Sequence, residues 1–262
     1  QFPCECEHCR AIEKKYGGHS GLMVWFVNQV ADAIKPIYPD KYIGTFAYQY
    51  TRQAPKGIVP RDNVVIRLCS IECCFAHSLE ECDHNSSFID DIKEWSLIAP
   101  NLFIWDYVVN YRQYLAPFPN FQVLADNIKT FRKYNAIGIQ EEAQYQSFGG
   151  EFSDMKSWVI AKLLWNPEQD TDALTSEFIS YYYGDAAPYI QEYFDLCRRQ
   201  IKPDTVMGIY IDQWNPLFTD DFIKEAAALL DKAVESVKDQ DETIRHRTDL
   251  VKLQIQYLRT MR

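Results

Sequence analysis

The chain of 262 residues predicts an α/β fold on parallel strands. It reads as the C-terminal half of a (β/α)8, TIM-barrel-type domain over residues 1–165, followed by an α-helical extension over 166–262. Three observations point there. Four short runs are apolar nearly throughout rather than alternating, the pattern of strands covered on both faces. Segments with helical spacing lie between most of them, and strand–helix–strand units in series imply a parallel sheet. No G-x-G-x-x-G turn follows a strand, which disfavours the dinucleotide-binding doubly wound sheet and leaves the barrel.

Taken in order, the opening "QFPCECEHCR" has no initiator Met, no basic segment and no apolar segment, so it is not a signal peptide. It reads as the loop after a strand, and hence as a point inside a longer protein. "SGLMVWFVNQVADAIKPIY" (20–38) predicts a helix with Leu22, Trp25, Phe26, Val30, Ala33 and Ile34 on its core stripe. The predicted strands are "YIGTFAY" (42–48), "NVVIRLC" (63–69), "NLFIWDY" (101–107) and "AIGIQEE" (136–142). "SSFIDDIKEWSLIA" (86–99) and "NFQVLADNIKTFRKYN" (120–135) supply helices between the later strands. The link "QYTRQAPKGIVPRD", rich in Pro and Gly, leaves little room for one between the first two.

From about residue 152 the pattern is helical. "FSDMKSWVIAKLLWNP" (152–167) places Phe152, Met155, Trp158, Val159, Leu163 and Leu164 at helical spacing and stops at Pro167. One further helix ends at Gly184 and another begins at Pro188. Thr219 and Asp241 cap the two helices of a final amphipathic hairpin. Four strand units make half a barrel and leave two sheet edges without partners, so a missing N-terminal half of the barrel or a partner chain is expected.

A formal charge of −10 argues against nucleic acid, whose phosphates require a basic face. No run of about eighteen apolar residues exists, so no membrane-spanning helix is expected. Aromatic residues make up 15% of the chain, a composition that serves cores and also carbohydrate sites, where rings stack on the apolar faces of sugars.

The chemistry of a barrel sits at the C-terminal ends of its strands. Acids there are Glu72, Asp106, Glu141 and Glu142. Asp106 and Glu141 occupy equivalent places on neighbouring predicted strands, and a carboxylate closing an apolar strand costs several kcal/mol to bury alone. A strand-end acid is commonly a cap or a solvated loop residue. Glycoside hydrolysis, however, requires two carboxylates facing one pocket, and the same strand ends carry many aromatics. Tyr48, Trp105, Tyr107, Tyr111 and Tyr145 are the candidate sugar platform, with Tyr50 and Phe148 nearby. Asp106, Glu141 and Glu142, in that order, are the candidate catalytic carboxylates. Arg67, a cation in an apolar strand, is a candidate substrate contact and needs a partner such as Glu72 or Asp106. His19, in "YGGHSG", reads as a cap on the first helix or a ligand contact, the cap being favoured.

Seven of the eight cysteines fall in two clusters, Cys4, Cys6 and Cys9, then Cys69, Cys73, Cys74 and Cys82; Cys197 stands alone as a buried thiol. A structural zinc held by Cys4, Cys6, Cys9, Cys74 and Cys82, joined by His77, competes with disulfides, and the spacing does not decide between them. No organic cofactor is expected.

Several stretches also carry a family resemblance. "HSGLMVWFVNQVADAIKPIYPDKYIGTFAYQYTRQAPKGI", "FIWDYVVNYRQYLAPFPNF", "AIGIQEEAQYQSFGGEFSDMKSWVIAKLLWNPEQD" and "FISYYYGDAAPYIQEYF" resemble a domain of unknown function from carbohydrate-degrading bacteria, over roughly residues 1–200. In that family it follows a small domain like the one preceding the barrel of β-hexosaminidases, and the whole is similar to xylan α-glucuronidases. The resemblance implies a carbohydrate substrate; a periplasmic or extracellular location is expected from the disulfide reading of the cysteines. It also implies a general acid on a fourth barrel strand, before this chain, with Asp106 and Glu141 or Glu142 as the later pair. The alternative it leaves is a non-catalytic carbohydrate-binding domain or an inactive glycosidase-like fragment; a zinc-stapled domain that binds another protein is a third reading.

Overall fold

The computed structural model describes residues 3–144 and 149–262. They form two compact units. One comprises Gln1–Cys73, Leu79–Tyr107 and Lys129–Glu142; the other comprises Cys74–Ser78, Val108–Ile128 and Ala143–Arg262.

The first unit is built on a parallel sheet in which strand order equals chain order. Strands β1 (Ile43–Ala47), β2 (Val64–Cys69), β3 (Leu102–Tyr107) and β4 (Ala136–Glu142) lie in the order β1-β2-β3-β4. All four match the predicted runs to within a residue at each end. Side chains alternate across a strand, and the register Phe46–Arg67–Phe103–Gly138 places those residues in one cross-strand row. Val64, Ile66, Leu68, Leu102 and Ile104 point to the opposite face and are almost wholly buried. The Phe46 face is the more open one, with Phe46 itself 44% exposed.

Two helices precede the sheet. Helix α1 (Glu7–Tyr16) occupies the segment read above as a loop. Its sequence carries no apolar stripe and only Ile12 is buried, so periodicity could not reveal it. Its two ends are held instead by caps: at the start the Cys6 sulfur accepts from the Cys9 backbone N–H, and at the finish Gly17 takes the left-handed conformation. Helix α2 (His19–Ile34) follows at once and packs on α1, β1 and β2. Its buried stripe is Ser20, Gly21, Val24, Val27, Asn28 and Ala31, not the expected one, and Phe26 is 61% exposed. The helix is apolar on more than one side, so hydrophobic spacing alone selects no unique face.

The loop from β1 to β2 carries only a short 3-10 turn at Gln49–Thr51, as its Pro and Gly content requires. Arg52 fastens it to α3 (Ser86–Ile98). The Arg52 guanidinium donates to Asp91 at 2.6 Å, to Ser87 at 2.9 Å and to Glu72 at 3.1 Å, and the Trp95 indole donates to its carbonyl at 2.6 Å.

The second unit is mainly helical. It contains α5 (Ser153–Trp165), α6 (Thr171–Tyr182), α7 (Ala187–Arg198), α8 (Asp220–Ser236) and α9 (Glu242–Met261), each packed on its sequence neighbour. The helix α4 (Phe121–Lys133) begins in this unit and ends in the first. Asp170, Thr219 and Asp241 cap α6, α8 and α9 through their side-chain oxygens. Phe121, Phe152, Tyr193 and Phe194 form its aromatic core. On α5 the buried face includes Lys156, whose Nζ meets Glu151 at 2.8 Å and the Val108 carbonyl at 3.0 Å; Leu164, expected inside, is 42% exposed.

Candidate functional site

Alternation along β3 and β4 sorts the strand-end acids onto different faces. Asp106 and Glu141 are register partners, as are Tyr107 and Glu142. Asp106 follows Ile104 on the buried face and is 2% exposed. Its Oδ1 accepts a hydrogen bond from the Ser70 hydroxyl, which pins the turn after β2. Burial raises the Asp106 carboxyl to about 6, against the opposing pull of Ser70 and the Tyr107 backbone N–H. Glu141 is pushed well above the usual carboxylate range, by burial first and by the Asp106 charge second. Its Oε2 is buried without a hydrogen-bond partner. The two acids thus stand side by side on neighbouring strands, but not in the aromatic-lined cavity that the sequence reading expected them to face. Their side chains share the closed face of the sheet.

Glu142 is on the open face. Its Oε2 accepts from the Trp105 indole N–H, and Trp105 stacks obliquely on Phe46 with ring centroids 5.2 Å apart. A cavity of about 720 Å³ opens here, walled by Trp25, Phe26, Phe46, Tyr48, Trp105 and Tyr107. Two of these rings come from the apolar side of α2 that is not buried against the rest of the unit. Cys69 also lines the cavity, and burial pushes its thiol up to about 12.

Arg67 lies deeper on the same face. Its guanidinium is 5.5 Å from the Phe103 ring centre and 5.9 Å from those of Phe46 and Trp105. The anticipated partners are engaged elsewhere, Glu72 with Arg52 and Asp106 with Ser70. Among the described residues no acid pairs with Arg67, and its Nε is buried without a hydrogen-bond acceptor. The aromatic faces supply the cation's environment instead.

The remaining platform residues divide. Tyr111 belongs to the second unit, where its ring meets Tyr114 at 5.8 Å and Tyr210 at 6.5 Å. Tyr145 and Phe148 lie outside the described residues. Spacing also passed over Glu13, which lines the cavity with His19. His19 makes no side-chain cap on α2. Its Nδ1 meets Glu13 Oε1 at 2.6 Å. The signal was present in the Gly17–Gly18 pair, which turns the chain back on itself so that residue 19 returns over α1.

The Sγ atoms of Cys4, Cys6 and Cys9 lie within 4.8 Å of one another, a soft donor set that can hold a metal ion. None of the eight cysteines is paired in a disulfide. The Cys74 thiol lies on the Thr205 carbonyl at 3.7 Å.

This sheet, its two leading helices and the first part of the helical unit coincide with a known sequence family. The family described as "Domain of unknown function (DUF4838)" matches residues 1–195. The chain belongs to that family. The DUF4838 match takes in the whole cavity, Asp106, Glu141, Glu142 and the three N-terminal cysteines, whereas α8 and α9 follow it. No curated protein and no solved structure matches the chain.

Proposed function

We propose that the first unit is a carbohydrate site of glycoside-hydrolase type, acting on an oligosaccharide or polysaccharide as xylan α-glucuronidases do. The observation that carries this reading is the aromatic-walled cavity at the C-terminal ends of parallel strands, with Glu142 held on the indole N–H of one wall, Trp105. Trp105, Phe46 and Tyr48 offer faces for the apolar side of a pyranose, and Arg67 favours a sugar bearing a carboxylate. Glu142 is the strand-end carboxylate that meets substrate. Asp106 and Glu141 hold the strand ends and set the field around it. A periplasmic or extracellular location accords with a polymeric substrate.

We further propose that the sheet is the C-terminal half of a (β/α)8 barrel over residues 1–165, with 166–262 as a helical extension. A strand order without reversal is what a barrel segment has. The open face, carrying Arg67 and its three rings, is the one that a closed barrel would enclose. The remaining strands, and the general acid with them, would come from residues outside these four strands or from a partner chain. For the metal we assign zinc, held by the thiolates of Cys4, Cys6 and Cys9, which would brace the chain at the cavity rim.

A second reading, non-catalytic carbohydrate binding, is favoured by one observation: Asp106 and Glu141 face away from the cavity. One experiment separates the two. Release of glucuronic acid from glucuronate-bearing xylo-oligosaccharides is measured for the wild type and for Glu142→Gln, beside binding of the same sugars by tryptophan fluorescence. Hydrolysis predicts release by the wild type and a loss of roughly a hundredfold or more in Glu142→Gln, with affinity retained. Binding by both proteins with release by neither establishes the second reading.

A further inference from the structure

The cavity contains a carboxylate–imidazole pair that the strand-end chemistry does not use. We infer that His19, oriented by Glu13, accepts a hydrogen bond from a hydroxyl group of the carbohydrate in this cavity; the inference rests on the carbohydrate reading proposed above.

The pair is built by local geometry. Helix α1 ends at Tyr16, and Gly17 and Gly18 follow with φ of 85° and 104°. These are values that side-chain-bearing residues rarely adopt. The chain therefore reverses within two residues, and His19 opens α2 directly across from Glu13 on α1. Glu13 is the more enclosed partner, its side chain 15% exposed against 39% for His19. The carboxylate is thus set behind the ring, and the ring stands toward the opening.

Chemistry then fixes which nitrogen is available. A carboxylate accepts, so the 2.6 Å contact to Nδ1 requires the proton on Nδ1. In the neutral form of the ring, Nε2 is then a bare acceptor. Among the described residues no hydrogen bond to Nε2 is formed. Tyr50 braces the ring edge-on, with centroids 5.5 Å apart, so the imidazole is held on two sides. Aromatic ring faces satisfy the C–H faces of a sugar but not its hydroxyl donors, which need fixed acceptors. An oriented imidazole at the edge of such walls supplies one. His19 is accordingly a binding residue and Glu13 its positioning residue.

The test uses the intact chain labelled with 15N in its imidazoles. The free protein should show His19 protonated on Nδ1 and bare on Nε2, and Glu13→Gln should mix the two forms. Titration with glucuronate-bearing xylo-oligosaccharides should move the His19 Nε2 resonance together with the tryptophan fluorescence. His19→Ala should weaken binding roughly five- to tenfold, while His19→Gln, which keeps an acceptor, stays within about twofold of wild type. Circular dichroism establishes that each variant is folded. Three results overturn the inference. A His19 that carries a proton on Nε2, alone or together with Nδ1, has no acceptor to offer there. Quenching of tryptophan fluorescence with an unmoved His19 resonance leaves the carbohydrate reading standing and removes His19 from it. No binding of these sugars by any probe removes the carbohydrate reading, and this inference with it.

Discussion

At the residue scale, Asp106 makes a pH-dependent contribution whose sign follows from burial. Its carboxyl titrates near 6 in the native chain, against about 4 when unfolded. The native state therefore binds the proton more tightly, and this group makes stability fall as pH rises from about 4 to about 6. Glu141, shifted in the same direction by burial and by the Asp106 charge, adds to the decline. Asp106→Asn keeps an acceptor for Ser70 and removes the buried charge. Urea unfolding between about pH 4 and pH 7 should show the variant more stable than wild type by about 1–3 kcal/mol at the neutral end, the gap closing toward the acidic end. An equal loss at every pH would mean that the Ser70 contact, not the charge, dominates. Arg52 gives a second test. Its removal leaves Asp91, whose side chain is 9% exposed, buried without its cation. Arg52→Ala should cost about 3 kcal/mol in chemical denaturation. The residues of the site were legible as strand-end acids and aromatics; their faces were not. Strands apolar on both sides carry no alternation, so nothing in "NLFIWDY" shows that Trp105 is open and Asp106 closed.

At the element scale, the same reasoning explains which helices were legible. Helices α3 to α9 announce themselves through spacing, caps and terminal Pro or Gly. Helix α1 does not, because its one buried residue makes no stripe, and α2 misleads because it is apolar on its cavity side as well. The α1–α2 contact is correspondingly tight. A Cβ on Gly21 would lie 2.4 Å from the Tyr16 carbonyl oxygen, so Gly21→Ala should force the helices apart. A loss of about 1–3 kcal/mol in thermal melts is expected, together with a weakened Glu13–His19 pair. On α5, Lys156→Met strips a buried carboxylate of its partner, since Lys156 and Glu151 have side chains 3% and 4% exposed. The single variant should lose about 3–5 kcal/mol, and Lys156→Met with Glu151→Gln should recover most of it. A double variant no better than the single one would show that the contacts of Lys156 with the backbone carbonyls matter more than the ion pair.

At the scale of the whole molecule, thiol reactivity reads out the state of the chain. Cys4, Cys6 and Cys9 are at least partly accessible, whereas Cys69, Cys73, Cys74, Cys82 and Cys197 are buried. A thiol reagent should modify the first group in the native, metal-free chain and the second only after denaturant is added. Protection of the first group that is relieved by a chelator would establish a bound metal, and metal analysis before and after chelation gives its identity. Protection that is relieved only by a reductant would instead mean disulfides.

The strand order has a further consequence, for the way the chain is made. Because β1, β2, β3 and β4 pair in the order in which they are synthesised, every new strand finds its template already laid down by the one before it. No pairing has to wait for a segment that emerges later, so the sequence separations are as short as a parallel sheet permits, which favours fast closure. The sheet can assemble from its N-terminal strand forward while the ribosome is still adding the helices that follow.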